Sequence, residues 1–297
     1  MTSTGSGLAV PDWPLSYGGL FPPMVGGIFY EHGHRMVAGV VAVLMTILAI
    51  WLMAREQRVW VRRLGLAALA VIIAQAVLGG ITVLFMLPTA VSVAHACLAQ
   101  TFFCLTVTLA LVTSRGWKAA ESGYEGTAAG GRAARRETAA TQSGLVALGT
   151  LTTSAVFSQL AIGALMRHTG SGLAIPDFPL SLGRVIPPLD SPAVAINFAH
   201  RVGAMLVAAC AGWTVASVLR KPRQPALVRP AAALGALVLL QIALGAFTVW
   251  SGKAVIPATA HVATGALVLA TSLVLTLRAG RSLTLASPVI PRLAGAS

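Results

Sequence analysis

Charged residues, and acidic residues above all, are scarce in this sequence. Only 10% of its 297 residues are charged, eight residues are Asp or Glu, and 56% are hydrophobic. The mean hydropathy is +0.82. Soluble globular domains contain about 25% charged residues, so this composition excludes an ordinary soluble domain. We therefore expect a membrane protein.

Cysteine is scarce as well, and the three cysteines all lie within apolar stretches: Cys97, Cys104 and Cys210. We interpret them as small packing residues rather than as a disulfide or a thiolate metal site. Neither half of the sequence groups His with Cys, Asp, Glu or Met at the spacing that zinc and copper sites require. The sequence therefore disfavours both kinds of metal centre.

Long apolar runs dominate the sequence instead. A helix of about 20 apolar residues crosses the ~30 Å hydrocarbon core of a bilayer. Such a segment must be helical, because the lipid offers its backbone no hydrogen-bond partners. Seven stretches qualify: 36–54, 64–86, 91–113, 144–166, 202–219, 231–250 and 255–277. The sequence predicts an all-α polytopic membrane protein with seven transmembrane helices.

The net charge of +13 follows the predicted topology. Sixteen of the 21 Lys and Arg residues lie in four segments between or after spans: 55–63, 115–136, 220–229 and 278–292. The positive-inside rule places these segments in the cytoplasm. This predicts a multi-pass protein of the cell (inner or plasma) membrane, with its N-terminus outside and its C-terminus in the cytoplasm. Membrane lipid is an expected partner, and nucleic acid is not, because no basic patch contains interleaved aromatic residues.

The sequence contains one loop twice. It reads TGSGLAVPDWPLSYGGLFPP at residues 4–23 and TGSGLAIPDFPLSLGRVIPP at residues 169–188, with fourteen of twenty positions identical. Further matches follow 166 residues apart, including HRMVAG with HRVGAM and QAVLGGITV with QIALGAFTV. Both copies begin on the outer side, so we expect two parallel, pseudo-symmetric helical-bundle repeats.

The repeat defines the domain organisation. The N-terminal repeat comprises residues 1–113, a Gly/Ala-rich cytoplasmic linker comprises 114–142, the C-terminal repeat comprises 143–280, and a cytoplasmic tail comprises 281–297. The second repeat has four predicted spans and the first has three. Because a four-helix bundle can enclose a ligand, we expect a further helix before residue 4, either lost or encoded upstream of the recorded start.

Four of the six histidines match in pairs between the repeats: His34 with His200, and His95 with His261. Within each repeat the two histidines are 61 residues apart, and each lies near the outer end of a predicted span. Ionisable groups at such positions are functional candidates, although they also hydrogen-bond across helices. Two facing imidazoles in an apolar bundle favour a six-coordinate haem. We interpret the unmatched His32 and His168 as exposed loop residues.

The neighbours of these histidines suggest different roles for the two repeats. Glu31 precedes His34 by three residues, which places both on one helix face, whereas the equivalent position holds Asn197. This difference favours acid–base work at the first site and cofactor binding at the second; the alternative is an acid favoured by the helix dipole. Arg35 and Arg201 either pair with haem propionates or extend to the membrane interface.

These motifs resemble the haem A synthase (CtaA/Cox15) family. The resemblance covers nearly the whole chain and depends on the doubled TGSGLA-PD-PL loops, EHGHR at 31–35, NFAHR at 197–201 and the later histidines, His95 and His261. Some members have a Cys pair in the first loop, where this sequence has Val10 and Ser16. The resemblance implies two four-helix halves with eight spans.

The resemblance also implies an activity. Members oxidise the C8 methyl of haem O, through an alcohol, to the formyl group of haem A, which terminal oxidases require. It implies that His200 and His261 hold a haem b cofactor and that His34 and His95 frame the substrate haem, with Glu31 as the catalytic carboxylate. A partner that donates electrons, a contact with haem O synthase and a homo-oligomer are further expectations. The alternatives are a non-catalytic di-haem b-type membrane cytochrome and a haem-binding assembly factor.

Overall fold

The computed structural model describes residues 5–117, 132–220 and 225–286. Within these ranges the chain is helical, and its β-structure consists of isolated bridges, one in each loop. Seven long helices follow one another along the chain: α1 (Gly26–Arg55), α2 (Val59–Leu84), α3 (Thr89–Thr113), α4 (Arg132–His168), α5 (Pro192–Leu219), α6 (Pro225–Trp250) and α7 (Val255–Ala286). All seven contain a stretch that is long and apolar enough to cross a membrane. The predicted all-α polytopic membrane fold with seven spans is confirmed.

Helices α1 and α5 each begin ten residues earlier than predicted. Helix α1 begins at Gly26 instead of residue 36, and α5 begins at Pro192 instead of residue 202. The hydropathy criterion starts each predicted span directly after a charged residue, Arg35 or Arg201. In the structure these side chains form hydrogen bonds within the protein, and the helix continues through them. At α5, Pro192 occupies the first turn and the Ser191 hydroxyl accepts a bond from the Val194 amide at 3.2 Å, which fixes the helix start.

The helix α4 begins inside the predicted linker. It starts at Arg132, and its apolar part runs over Gln142–His168. Residues 118–131 of the linker and 287–297 of the tail lie outside the described residues. The further helix expected before residue 4 stays a prediction.

The C-terminal repeat is a closed ring of four helices. Helix α4 packs against α5 and α7, and α6 packs against the same two. Buried Val, Leu and Ala side chains from all four helices form one core. A hydrogen bond of 2.8 Å between the hydroxyls of Thr152 and Thr214 joins α4 to α5 inside this core.

The N-terminal repeat is more open. Helix α2 packs against α1 and α3, and a smaller core joins these three helices near the ends away from the loop. Helix α3 also packs against α4 and α7, which connects the two repeats. The helices that carry the paired histidines, α1, α3, α5 and α7, all begin at the end of the molecule that contains the two loops.

Candidate functional site

Each copy of the repeated loop is closed by an aspartate. In the first copy the Asp12 carboxylate accepts bonds from the amides of Tyr17 and Gly18, both at 2.8 Å. These two residues have positive φ angles of 54° and 70°. The same arrangement recurs in the second copy, among Asp177, Leu182 and Gly183. The Gly18 and Tyr17 amides lower the pKa of Asp12, and the Gly183 and Leu182 amides lower that of Asp177.

An arginine from the following helix holds each loop. The Arg35 guanidinium of α1 donates to the carbonyl oxygens of Asp12 and Leu15 at 2.7 Å and of Val10 at 3.2 Å. Arg201 of α5 repeats this pattern with the carbonyls of Leu180, Asp177 and Ile175, at 2.7, 2.8 and 2.9 Å. The loops are therefore fastened over the starts of α1 and α5.

These contacts differ from both alternatives predicted for the arginines. All five N–H groups of Arg201 have acceptors within the protein, the last being the Nε–H bond to the Asn197 side-chain oxygen at 3.1 Å. Arg35 uses both of its terminal nitrogens in the same way. Propionate binding by these arginines stays a prediction, and the contacts instead support a role in holding the loops.

Glu31 and Asn197 also bind the loops, but Glu31 accepts a hydrogen bond from its loop whereas Asn197 donates to its loop. Glu31 is fully buried; its carboxylate accepts from the Val10 amide at 3.0 Å and from Arg35 at 2.9 Å. Asn197 instead donates to the carbonyls of Ser171 and Gly172 at 2.9 and 3.1 Å, while its oxygen faces Arg201. The first repeat therefore contains a buried ion pair where the second contains a neutral amide.

The prediction for His32 is wrong. His32 lies within α1, is only 6% exposed, and its Nδ1 is 2.8 Å from the Ser16 hydroxyl oxygen of the loop. Its Nε2 is buried without a hydrogen-bond partner. His168 is the last residue of α4 and is partly buried, so it too is helical. The error arose because the sequence reasoning began α1 after these polar residues.

The C-terminal histidine pair comes together as expected. The ring centres of His200 and His261 are 6.5 Å apart, and the ring planes meet at 68°. A metal held about 2 Å from a nitrogen of each ring would separate the ring centres by about 6 Å. The spacing therefore leaves room for one iron between the two imidazoles. Among the described residues no three His, Cys, Asp or Glu side chains form a cluster that could hold a metal ion.

The N-terminal pair is less enclosed. His34 is exposed and His95 is partly buried. Within residues 5–117 the ring contact of the C-terminal pair has no counterpart between these two histidines. Both nevertheless lie near the loop ends of their helices, on α1 and α3, as predicted. The two sites therefore differ in enclosure as well as in the residue at position 31 or 197.

Glycines provide space for three of the four imidazoles. A Cβ atom at Gly79, Gly163 or Gly245 would lie 3.3, 3.1 or 3.2 Å from the Cε1 atom of a histidine. The histidines concerned are His95, His200 and His261, respectively. Sequence reasoning missed these glycines, although each follows a glutamine by four residues and that recurrence could have revealed them.

Comparison with known proteins identifies relatives of this chain. The sequence model of the COX15-CtaA family, described as cytochrome oxidase assembly protein, matches residues 1–273. Heme A synthase of Symbiobacterium thermophilum is 31% identical over 255 residues, covering 83% of this chain and 78% of the relative. Heme A synthase of Halalkalibacterium halodurans is 29% identical over 264 residues, covering 88% and 83%, respectively. The match spans both loops and all four paired histidines, and the chain belongs to the COX15-CtaA family, whose relatives include these haem A synthases.

Proposed function

We propose that this protein is an oxidoreductase that oxidises the C8 methyl group of haem O, through an alcohol, to the formyl group of haem A. The names of its relatives support this reaction. The observation that supports the proposal most is the fully buried carboxylate of Glu31. The equivalent position in the other repeat holds the neutral Asn197. Two sites that only transferred electrons would not require this difference.

We propose that His200 and His261 would hold a resident haem b, which would supply electron-transfer chemistry when bound. Their spacing supports this role. His34 and His95 orient the substrate haem, whose apolar tail lies along apolar helix faces. The two loops bury Glu31 and Asn197 near the starts of α1 and α5 and so exclude water from these two side chains.

Glu31 serves as the proton-handling group at the substrate site. Its carboxylate lies one helical turn before His34 and is held by the Val10 amide and Arg35. A carboxylate held in this way is oriented and shielded from bulk water, which suits transfer of a proton during methyl oxidation. Release of one of its two hydrogen bonds would free an oxygen for that step.

We also propose that the loops face the outside of the cell and that the C-terminus lies in the cytoplasm, from the positive-inside rule. Labelling of intact cells with a membrane-impermeant thiol reagent tests this topology. Lys253→Cys, in the turn between α6 and α7, should be labelled, and Arg115→Cys, after α3, should not. Labelling with the opposite preference would invert the topology.

Co-production with a haem O synthase, followed by extraction and chromatography of the haems, tests the reaction. We expect the wild-type protein to convert haem O to haem A. Glu31→Ala should leave haem O unconverted while haem b stays bound. Asn197→Ala is the matched control, because it removes the equivalent loop contact without removing a carboxylate, and it should retain conversion.

The outcomes separate the alternatives. Unchanged haem O beside wild-type protein that contains two haems would favour the di-haem cytochrome. Equal loss of conversion in Glu31→Ala and Asn197→Ala would show that Glu31 only holds the loop and does not handle protons. His200→Ala should remove haem b, and retention of haem b in that variant would refute the proposed cofactor site.

A further inference from the structure

A short pattern recurs in three helices that face a paired histidine. A glutamine is followed by a glycine four residues later: Gln75 and Gly79 in α2, Gln159 and Gly163 in α4, Gln241 and Gly245 in α6. Residues four apart share a helix face, so each glutamine and glycine meet the same neighbouring helix. That neighbour carries His95, His200 and His261, respectively.

In the C-terminal repeat the packing is reciprocal. The imidazole of His200 packs on Gly163, and a side chain at Gly203 of the same helix would overlap the Gln159 amide. Likewise His261 packs on Gly245, and a Cβ atom at Gly265 would lie 3.1 Å from the Gln241 amide nitrogen. Each imidazole therefore has a glutamine amide beside it, and both are confined by a glycine of the opposite helix.

The two imidazoles are held by chemically different groups. The Nδ1 atom of His261 is 3.1 Å from the backbone carbonyl oxygen of Gln241. A carbonyl only accepts, so Nδ1 carries the proton and Nε2 keeps its lone pair for a metal. The side-chain nitrogen of Gln241 approaches that Nε2 only to 3.4 Å.

The hydrogen-bond partner of the His200 Nδ1 atom is a side chain instead of a backbone carbonyl. The Gln159 amide nitrogen lies 3.0 Å from Nδ1 of His200 and donates to the His200 carbonyl at 2.7 Å. The other end of this amide, Oε1, is buried and has no hydrogen-bond partner. An iron on Nε2 would place the proton on Nδ1. A turn of the amide that presents Oε1 to this proton would exchange the 2.7 Å bond to the His200 carbonyl for the bond to Nδ1.

We infer that Gln159 is the positioning residue of the haem b site, because its side-chain amide sets the orientation and the donor strength of His200. His261 obtains the same support from a backbone carbonyl, which substitution of Gln241 does not remove. This inference rests on the proposed haem b site, but not on the conversion of haem O.

Three variants test the inference in the purified full-length protein. Gln159→Met keeps the length of the side chain and removes the hydrogen bond, Gln159→Glu keeps a stronger acceptor, and Gln241→Met is the matched control. Haem b content, the low-spin electron paramagnetic resonance signal and the midpoint potential are measured for each. These readouts report on the ligand field of the iron independently of turnover.

We expect Gln159→Met to lower haem b affinity about tenfold. It should also raise the midpoint potential, because a less basic imidazole stabilises ferric iron less. Gln159→Glu should retain haem b and lower the potential, because a carboxylate draws the Nδ1 proton more strongly. Gln241→Met should keep the wild-type signal and potential.

A potential that shifts in the same direction in Gln159→Met and Gln159→Glu would overturn the inference, since packing alone would then explain it. An unchanged Gln159→Met, or equal changes in Gln241→Met, would overturn it as well. Wild-type protein without haem b would refute both the cofactor site and this inference. Wild-type protein that binds haem b, shows these differences and leaves haem O unconverted would refute the proposed function alone.

Discussion

In each repeat the loop is fastened to the helix that follows it, but the charged groups that fasten it differ between the repeats. In the first repeat a buried ion pair, Glu31 with Arg35, accepts from a loop amide and donates to loop carbonyls. In the second, Asn197 and Arg201 hold the loop without an acidic partner. An amide is therefore sufficient for this task, and fastening the loop does not by itself require a carboxylate.

The difference matters because burying a carboxylate is unfavourable. Desolvation of an ion pair costs several kcal/mol per ion before its Coulombic attraction is counted, and a neutral replacement is often as stable. The carboxylate of Glu31 therefore needs an explanation other than stability. Proton handling beside His34 is the explanation we propose above.

The largest expected effect compares the two arginines. Arg35→Met leaves the fully buried Glu31 without its cation, which should destabilise the fold by about 3–5 kcal/mol. Arg201→Met removes bonds between neutral groups and the guanidinium, which should cost about 1–3 kcal/mol. Unfolding of the purified variants in detergent, followed by the circular dichroism signal of the helices, measures the difference in stability between the two variants.

A double variant tests whether the buried charge of Glu31 causes this difference in stability. Replacing Glu31 by Gln together with Arg35→Met removes the uncompensated charge, so its stability should approach that of Arg201→Met. If the single variants Arg35→Met and Arg201→Met are equally stable, the buried charge contributes nothing to the difference between the repeats.

An intermediate effect concerns the aromatic residue of each loop. Trp13 packs on Gly80 of α2, where an added Cβ would lie 2.7 Å from the indole ring, whereas the equivalent residues are Phe178 and Ala246. Gly80→Ala should therefore overpack this contact and destabilise by about 1–3 kcal/mol.

Adding Trp13→Phe to Gly80→Ala copies the second repeat and should restore most of the lost stability. A double-mutant cycle from melting temperatures in detergent measures this coupling. Additive effects of the two substitutions would show that the loop ring and the helix glycine do not determine one another.

The smallest expected effect is common to both repeats. The pKa values of Asp12 and Asp177 are lowered by loop amides, so their contribution to stability is present above the ordinary carboxyl value of 3.8 and is lost as the pH falls through the lower folded value. Asp12→Asn and Asp177→Asn should each remove a similar part of the acid-induced decrease in melting temperature. A response confined to one variant would contradict the equivalence of the two loop turns.

Much of this protein follows from patterns that are local in the sequence. Apolar length specifies the seven helices, because a backbone in lipid must bond to itself. The spacing of His34, His95, His200 and His261 predicts which helix ends form the sites. The pairing of His200 with His261 also required that α5 and α7 lie opposite each other in the four-helix ring, which the spacing does not determine.

The sequence by itself did not reveal where the charged groups near these helix ends would bind. The predicted span begins after Glu31, His32 and Arg35, although the spacing places Glu31 on one helix face with His34. The sequence assigns Arg35 and Arg201 to haem propionates or to the membrane interface. In the tertiary structure the loop folds back and supplies carbonyls and amides from residues up to 26 positions away. A buried polar group requires a partner, and only the folded loop decides which partner it finds.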